Sequence, residues 1–168
     1  MRSQMSHKHS FLLIIVTLLL FSCDDTRVFD EYKTIGESWH KDSIVSFTFD
    51  QKGSNLPHNL FVNLRSNNNY KYSNLFLIVS MEHPNGFTKV DTLQYLMANP
   101  DGTLLGDGFS DVKESKLYYK EKFKFPKSGK YKISIQQAVR KTGKIAGEKS
   151  LGGITEVGFR IENLEKTK

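Results

Sequence analysis

Leu117-Tyr118-Tyr119-Lys120-Glu121-Lys122-Phe123-Lys124-Phe125, then Pro126-Lys127-Ser128-Gly129, then Lys130-Tyr131-Lys132-Ile133-Ser134-Ile135-Gln136-Gln137-Ala138-Val139: this stretch decides the fold. In its first part Leu117, Tyr119, Glu121, Phe123 and Phe125 alternate chiefly with Lys. In its second, Tyr131, Ile133, Ile135, Gln137 and Val139 alternate with mostly polar residues. Successive side chains on a strand point to opposite faces, so a period of two turns one set toward a core and the other toward water. An amphipathic helix would need apolar residues three and four apart. The Pro-Lys-Ser-Gly between the two runs is turn chemistry.

The same period extends in both directions. Val45, Phe47 and Phe49 share a face in 44–49, and Leu60, Val62 and Leu64 share one in 59–65. Leu75 to Met81 is apolar on both faces, which predicts a central strand. Thr88 to Met97 follows the turn His83-Pro84-Asn85-Gly86, and Ile154 to Ile161 closes the pattern. Further turn signals stand at 55–57, 67–69, 99–102 and 141–143. A short helix competes with the alternation only over 111–120. Seven or eight strands at this spacing predict an all-β fold, a single antiparallel β-sandwich of jelly-roll type.

The N-terminus has another logic. Residues 1–10 carry Arg2 and Lys8 and no acid, and residues 11–21, FLLIIVTLLLF, are apolar apart from Thr17. A basic start, a short apolar run and a small residue form a secretory leader. The run is too short for a permanent span, which needs about 20 residues. Leu20-Phe21-Ser22-Cys23 then resembles a bacterial lipobox, with Phe21 bulkier than usual at its place. A Cys directly after the cut offers the soft nucleophile that accepts a diacylglyceryl group. Cys23 is also the only Cys of the chain, so no intrachain disulfide competes for it. The expected organisation is a cleaved signal peptide over 1–22, a lipidated tether over 23–33 and a β-sandwich domain over 34–164.

Loss of Arg2 and Lys8 with the leader lowers the formal net charge from +6 to +4. Lys113, Lys116, Lys120, Lys122, Lys124, Lys127, Lys130 and Lys132 form the one basic stretch of note. Its plainest meaning is a solvated strand face, where Lys discourages edge pairing. The sharper one is a patch for anionic lipid, lipopolysaccharide or an acidic partner. Nucleic acid is not an expected partner of an exported chain. His40, His58 and His83 lack metal-ligand spacing, and neither a nucleophile elbow nor a phosphate loop is present, so no catalytic residue, metal or cofactor is expected. Asp101, Asp107 and Asp111, with Glu114, fall in one loop-rich stretch where hard oxygen ligands suit Ca²⁺. Their spacing departs from the EF-hand, and solvated turn acids are the commoner meaning. Tyr70 and Tyr72 beside Asn67-Asn68-Asn69 are candidates for stacking on a sugar or clamping a peptide, with at least one expected at the surface. Arg65 and Arg140 end apolar strands, where they would pair with Asp91 or Glu156 or dock a partner.

The order of motifs resembles the gliding-motility lipoprotein GldH family of Bacteroidota. Behind Cys23 the resemblance is carried by Tyr32, Trp39, Leu64-Arg65, Tyr70-Lys71-Tyr72-Ser73-Asn74-Leu75 and Asp91-Thr92-Leu93-Gln94-Tyr95. It continues through Gly102 to Gly108, Gly129-Lys130-Tyr131, Gln136 to Arg140 and Gly153 to Ile161, with Leu104 where the family pattern has Trp. The resemblance implies a non-enzymatic accessory of the gliding and type IX secretion machinery, acting with other envelope proteins. It brings no catalytic residues. The alternative is a surface lipoprotein that binds a glycan or peptide. Asp24-Asp25 follows the Cys, and no Lys lies between Cys23 and Lys33, so the expected location is the periplasmic face of the outer membrane.

Overall fold

The computed structural model describes residues 26–52, 54–108, 111–141 and 143–164. The leader, Cys23 and Asp24-Asp25 lie outside the described residues. No helix among the described residues is long and apolar enough to cross a membrane.

Among the described residues ten strands form in chain order: β1 (Arg27–Thr34), β2 (Ser38–His40), β3 (Val45–Gln51), β4 (Ser54–Ser66), β5 (Asn74–Glu82), β6 (Thr88–Leu96), β7 (Lys113–Phe125), β8 (Gly129–Gln137), β9 (Ser150–Gly152) and β10 (Ile154–Asn163). One antiparallel sheet runs β1-β10-β4-β7 and a second runs β3-β8-β5-β6, while β2 and β9 pair as a small ribbon. Numbered without the ribbon, the eight long strands fall in the order first, eighth, third, sixth in one sheet. The other sheet holds the second, seventh, fourth and fifth. That is the jelly-roll order, in which the chain keeps crossing from one sheet to the other.

The alternation read from the sequence is the burial seen here. Val45, Phe47 and Phe49 of β3 point inward, as do Leu60, Val62 and Leu64 of β4, Leu75, Leu77, Val79 and Met81 of β5, and Tyr131, Ile133 and Ile135 of β8. β5 lies between β8 and β6, as its two-sided apolar run predicts. Residues 113–120 are strand, not helix, because their alternate residues Ser115 and Tyr119 enter the interior. The Pro126-Lys127-Ser128 turn joins β7 and β8, which lie in different sheets, so it carries the chain across the interior.

The tether expected over 23–33 is largely β1. Phe29 turns inward, 5.3 Å from Phe49 and 6.3 Å from Phe159, while the backbone from Phe29 to Thr34 pairs with β10 without interruption. The strand was hidden because it is an edge: most of its side chains are polar and none is fully buried.

Both open sides are closed by side chains. On one, Lys33 of β1 donates to the Ser46 carbonyl of β3 at 2.6 Å. On the other, Tyr119 and Lys120 of β7 donate to Asp91 of β6 at 2.9 and 2.8 Å, and the Tyr95 hydroxyl donates to the Tyr118 carbonyl at 2.7 Å. Burial works against the Asp91 charge. The hydrogen bonds from Lys120 and Tyr119 and the charges of Lys120 and Lys89 outweigh it, so its carboxyl sits below the ordinary aspartate value.

Two measurements test this account. Gly153 has φ +87°, and a Cβ there would stand 2.1 Å from the Tyr70 nitrogen, whereas Gly86 has φ +80° and open space. Gly153→Ala is therefore expected to cost about 2–5 kcal/mol in chemical denaturation, from backbone strain plus overpacking, and Gly86→Ala only about 1–2 kcal/mol. Asp91, lowered in the folded state, adds stability that is full above the unfolded value of 3.8 and disappears as pH falls through the folded value. Asp91→Asn should thus be less stable than the parent at neutral pH and lose that deficit in strong acid, and a deficit that persists in acid would contradict the pairing.

Candidate interaction surface at the long-loop end

The jelly roll has two unlike ends. Short connections at 52–53, 83–87 and 126–128 close the end where Arg27 enters. The opposite end carries the long connections, 67–73, 97–112, 138–149 and the segment containing β2. Trp39 of β2 closes the core at this end, fully buried, with its indole N–H donating to the Ser43 carbonyl at 2.8 Å.

The 67–73 loop is built from its own polar groups. The Asn67 side chain accepts from the Asn69 N–H at 3.0 Å, its carbonyl accepts from the Tyr70 N–H at 2.9 Å, and its N–H donates to the Gly153 carbonyl at 2.8 Å. This asparagine turn drives Tyr70 inward. Tyr70 is 4% exposed and donates to the Asn74 carbonyl at 2.8 Å. Burial pushes its hydroxyl pKa far up. It is a core residue, so of the two tyrosines only Tyr72 reaches the surface.

Tyr72 is half-buried, 5.8 Å from Tyr70 at an interplanar angle of 62°, and donates to Glu148 at 2.8 Å. That hydrogen bond and the Lys141 ammonium, 3.4 Å away, hold the Glu148 carboxyl below its ordinary value. Tyr72 also divides two clefts. One, about 550 Å³, is lined by Asn68, Lys71, Asn99, Pro100 and Leu104; the other, about 380 Å³, by Asn74, Phe76, Val139, Arg140 and Lys141. The Arg140 backbone bridges Gly147. Its side chain is exposed and makes no ion pair among the described residues. Tyr72 and Arg140 are thus brought together, with an aromatic edge and a free guanidinium on one cleft.

Arg65 is placed differently. It lies on the outer face of the β1-β10-β4-β7 sheet, donates to Glu114 at 3.0 Å and to Glu156 at 2.5 Å, and stacks 4.7 Å from the Tyr32 ring. Tyr32 crosses above Gly158, where a Cβ would come within 2.9 Å of its ring, and donates to Glu114 at 2.8 Å. Burial first, then Glu114, push the Tyr32 hydroxyl far up. Arg65 therefore has the Glu156 partner expected of it, inside a network that ties four strands together. Asp91 goes to Lys120.

The loop acids do not converge. Asp101 accepts from Thr103, Asp111 from Asn68, and Glu114 from Arg65 and Tyr32. Among the described residues no three metal-ligating side chains form a group. Sequence reasoning missed Glu148, which sits in a loop without periodicity, and the span of Tyr32, which needs the strand order to be known.

Known proteins place this architecture. The chain is 64% identical over 155 residues to the gliding motility lipoprotein GldH of Flavobacterium johnsoniae, covering 92% of this chain and 96% of that one. It is 56% identical to a GldH homolog of Christiangramia forsetii, covering 91% and 94%. Among solved structures it overlaps the infectious bursal disease virus VP2 subviral particle with a TM-score of 0.38 and 12% identity, over 84% of this chain and 34% of that one, too loosely for any inference. The sequence profile described as GldH lipoprotein matches residues 27–161, from the first strand nearly to the end of the last. The chain belongs to the GldH lipoprotein family.

Proposed function

We propose that the protein is a lipid-anchored, non-enzymatic accessory of the gliding motility and type IX secretion machinery, held at the periplasmic face of the outer membrane and acting by binding other envelope proteins. The observation that carries this reading is the pairing of a lipobox at Cys23 with Arg140, which makes no ion pair among the described residues and lines the Tyr72 cleft at the end of the sandwich far from Arg27. A guanidinium with no ion-pair partner among the described residues is suited to a carboxylate on another chain, and half-buried Tyr72 adds apolar contact with little side-chain entropy to lose. The names of the relatives supply the gliding context. The network around Arg65 is already satisfied within the chain, so its role is to hold strands.

A glycan is the second reading, because Tyr72 lines both clefts. The clefts are shallow and shared with Lys and Arg, which favours a peptide bearing an acid.

Arg140→Glu is expected to leave the melting temperature nearly unchanged, within about 0.5 kcal/mol of stability, as for an exposed site. The same change should reduce co-purification of envelope proteins from detergent-solubilised membranes by about tenfold, the effect of losing roughly 1.4 kcal/mol of binding. Unchanged recovery, or recovery of a glycan in place of proteins, would reject the docking role. Metabolic labelling with a fatty-acid analogue tests the anchor separately: the parent chain should be labelled and Cys23→Ser should not.

A further inference from the structure

The lysines of the basic stretch have two fates. Lys116 pairs with Glu162 at 2.7 Å and Lys120 with Asp91 at 2.8 Å, on the flanks of the sandwich. Lys122, Lys124, Lys127 and Lys130 are exposed and make no ion pair among the described residues. The strand registers collect these four at one place. Phe125 opposes Ser54, Gly129 opposes Gln51, and Glu82 opposes Lys132, so the 52–53, 83–87 and 126–128 connections share one tip. Pro84 lies against Gly129, confirming that the last two touch. Lys52 belongs to the same tip and is also exposed and unpaired among the described residues. The exposed acids there among the described residues are Asp50, Glu82 and Glu121. They are fewer than the cations. At the long-loop end Asp101, Asp107, Asp111 and Glu148 offset Lys71, Arg140, Lys141 and Lys144.

The tip is also greasy. Leu56 is 66% exposed, Phe87 59% and Val28 46%. Leucine and phenylalanine raised among lysines suit a bilayer interface, where apolar side chains enter the headgroup layer and ammonium groups meet lipid phosphates. Arg27, the first residue of β1, stands at this same tip. Only residues 24 to 26 separate it from Cys23, a reach of at most about 14 Å.

We propose that this tip is a second membrane contact: the face formed by Lys122, Lys124, Lys127 and Lys130 with Leu56 and Phe87 docks on the anionic headgroups of the bilayer that holds the anchor. It rests on lipidation at Cys23. Docking stands the sandwich upright and turns the Tyr72–Arg140 clefts away from the bilayer.

The test uses the mature lipidated protein in phosphatidylcholine vesicles, with or without phosphatidylglycerol, carrying a headgroup quencher. One version is labelled through Asn85→Cys at the tip and another through Lys144→Cys at the long-loop end. With phosphatidylglycerol present, the tip label should be quenched several-fold more than the distal one, and the difference should shrink with added salt. Changing Lys122, Lys124, Lys127 and Lys130 together to Glu should abolish the tip quenching, and changing them to Arg should preserve it, with vesicle flotation and circular dichroism unchanged in both. Equal quenching at the two ends, or tip quenching indifferent to salt and to lipid charge, would overturn docking while flotation still upholds the anchor. Failure of the lipidated protein to float with any vesicle would overturn the anchor, and docking with it.

Discussion

Phe49 is where the two sheets are held together. It stands on β3, yet its ring lies within 5.9 Å of Phe29, Phe125 and Phe159, which belong to three strands of the facing sheet, and it stacks on Tyr131 beside it. Aromatic rings bury large apolar areas, and their offset contacts add to the gain from leaving water. No pair of sequence neighbours can assemble this cluster. It needs β1, β3, β7, β8 and β10 together, and the jelly-roll crossing is the path that delivers them. Most of the pairing is consequently non-local, the first strand closing on the last, which is the class of topology that folds slowly and as a whole.

Much of the fold was legible because burial in a sandwich is periodic. β3, β4, β5, β8 and β10 each present an apolar side every second residue, and that side is the one found inside. What alternation cannot report is the partner. β7 and β8 are joined by a turn, yet they face each other across the core, and the pattern states which side of a strand is buried and not which strand lies beside it. β1 was illegible for a different reason: an edge strand buries little, and Phe29 alone among its residues is strongly apolar and turned inward. The three-residue strands β2 and β9 are too short to show a period.

The candidate site divides along similar lines. Arg65 and Glu156 end neighbouring strands in register, so their pairing follows from charge and strand-end position. Tyr70 and Tyr72 look alike in sequence, two residues apart, and the asparagine turn sends one into the core and leaves the other at the surface. Glu148, which sets the Tyr72 hydroxyl, lies 76 residues away in a loop with no pattern to reveal it. Interiors are written in periodicity, whereas loop contacts depend on the path of the backbone, and the surface that distinguishes this chain is made of loop contacts.

β1 pairs antiparallel with β10 over almost its whole length, entering at Arg27 on one end of the sandwich and leaving at Thr34 toward the other. A pull on the N-terminus against a load held at the long loops therefore runs along the strand axis. The ladder between β1 and β10 is then stretched in shear, its rungs sharing the force, and is not peeled one rung at a time. A strand that sequence reading takes for a lipidated tether is the part of the molecule best arranged to carry tension.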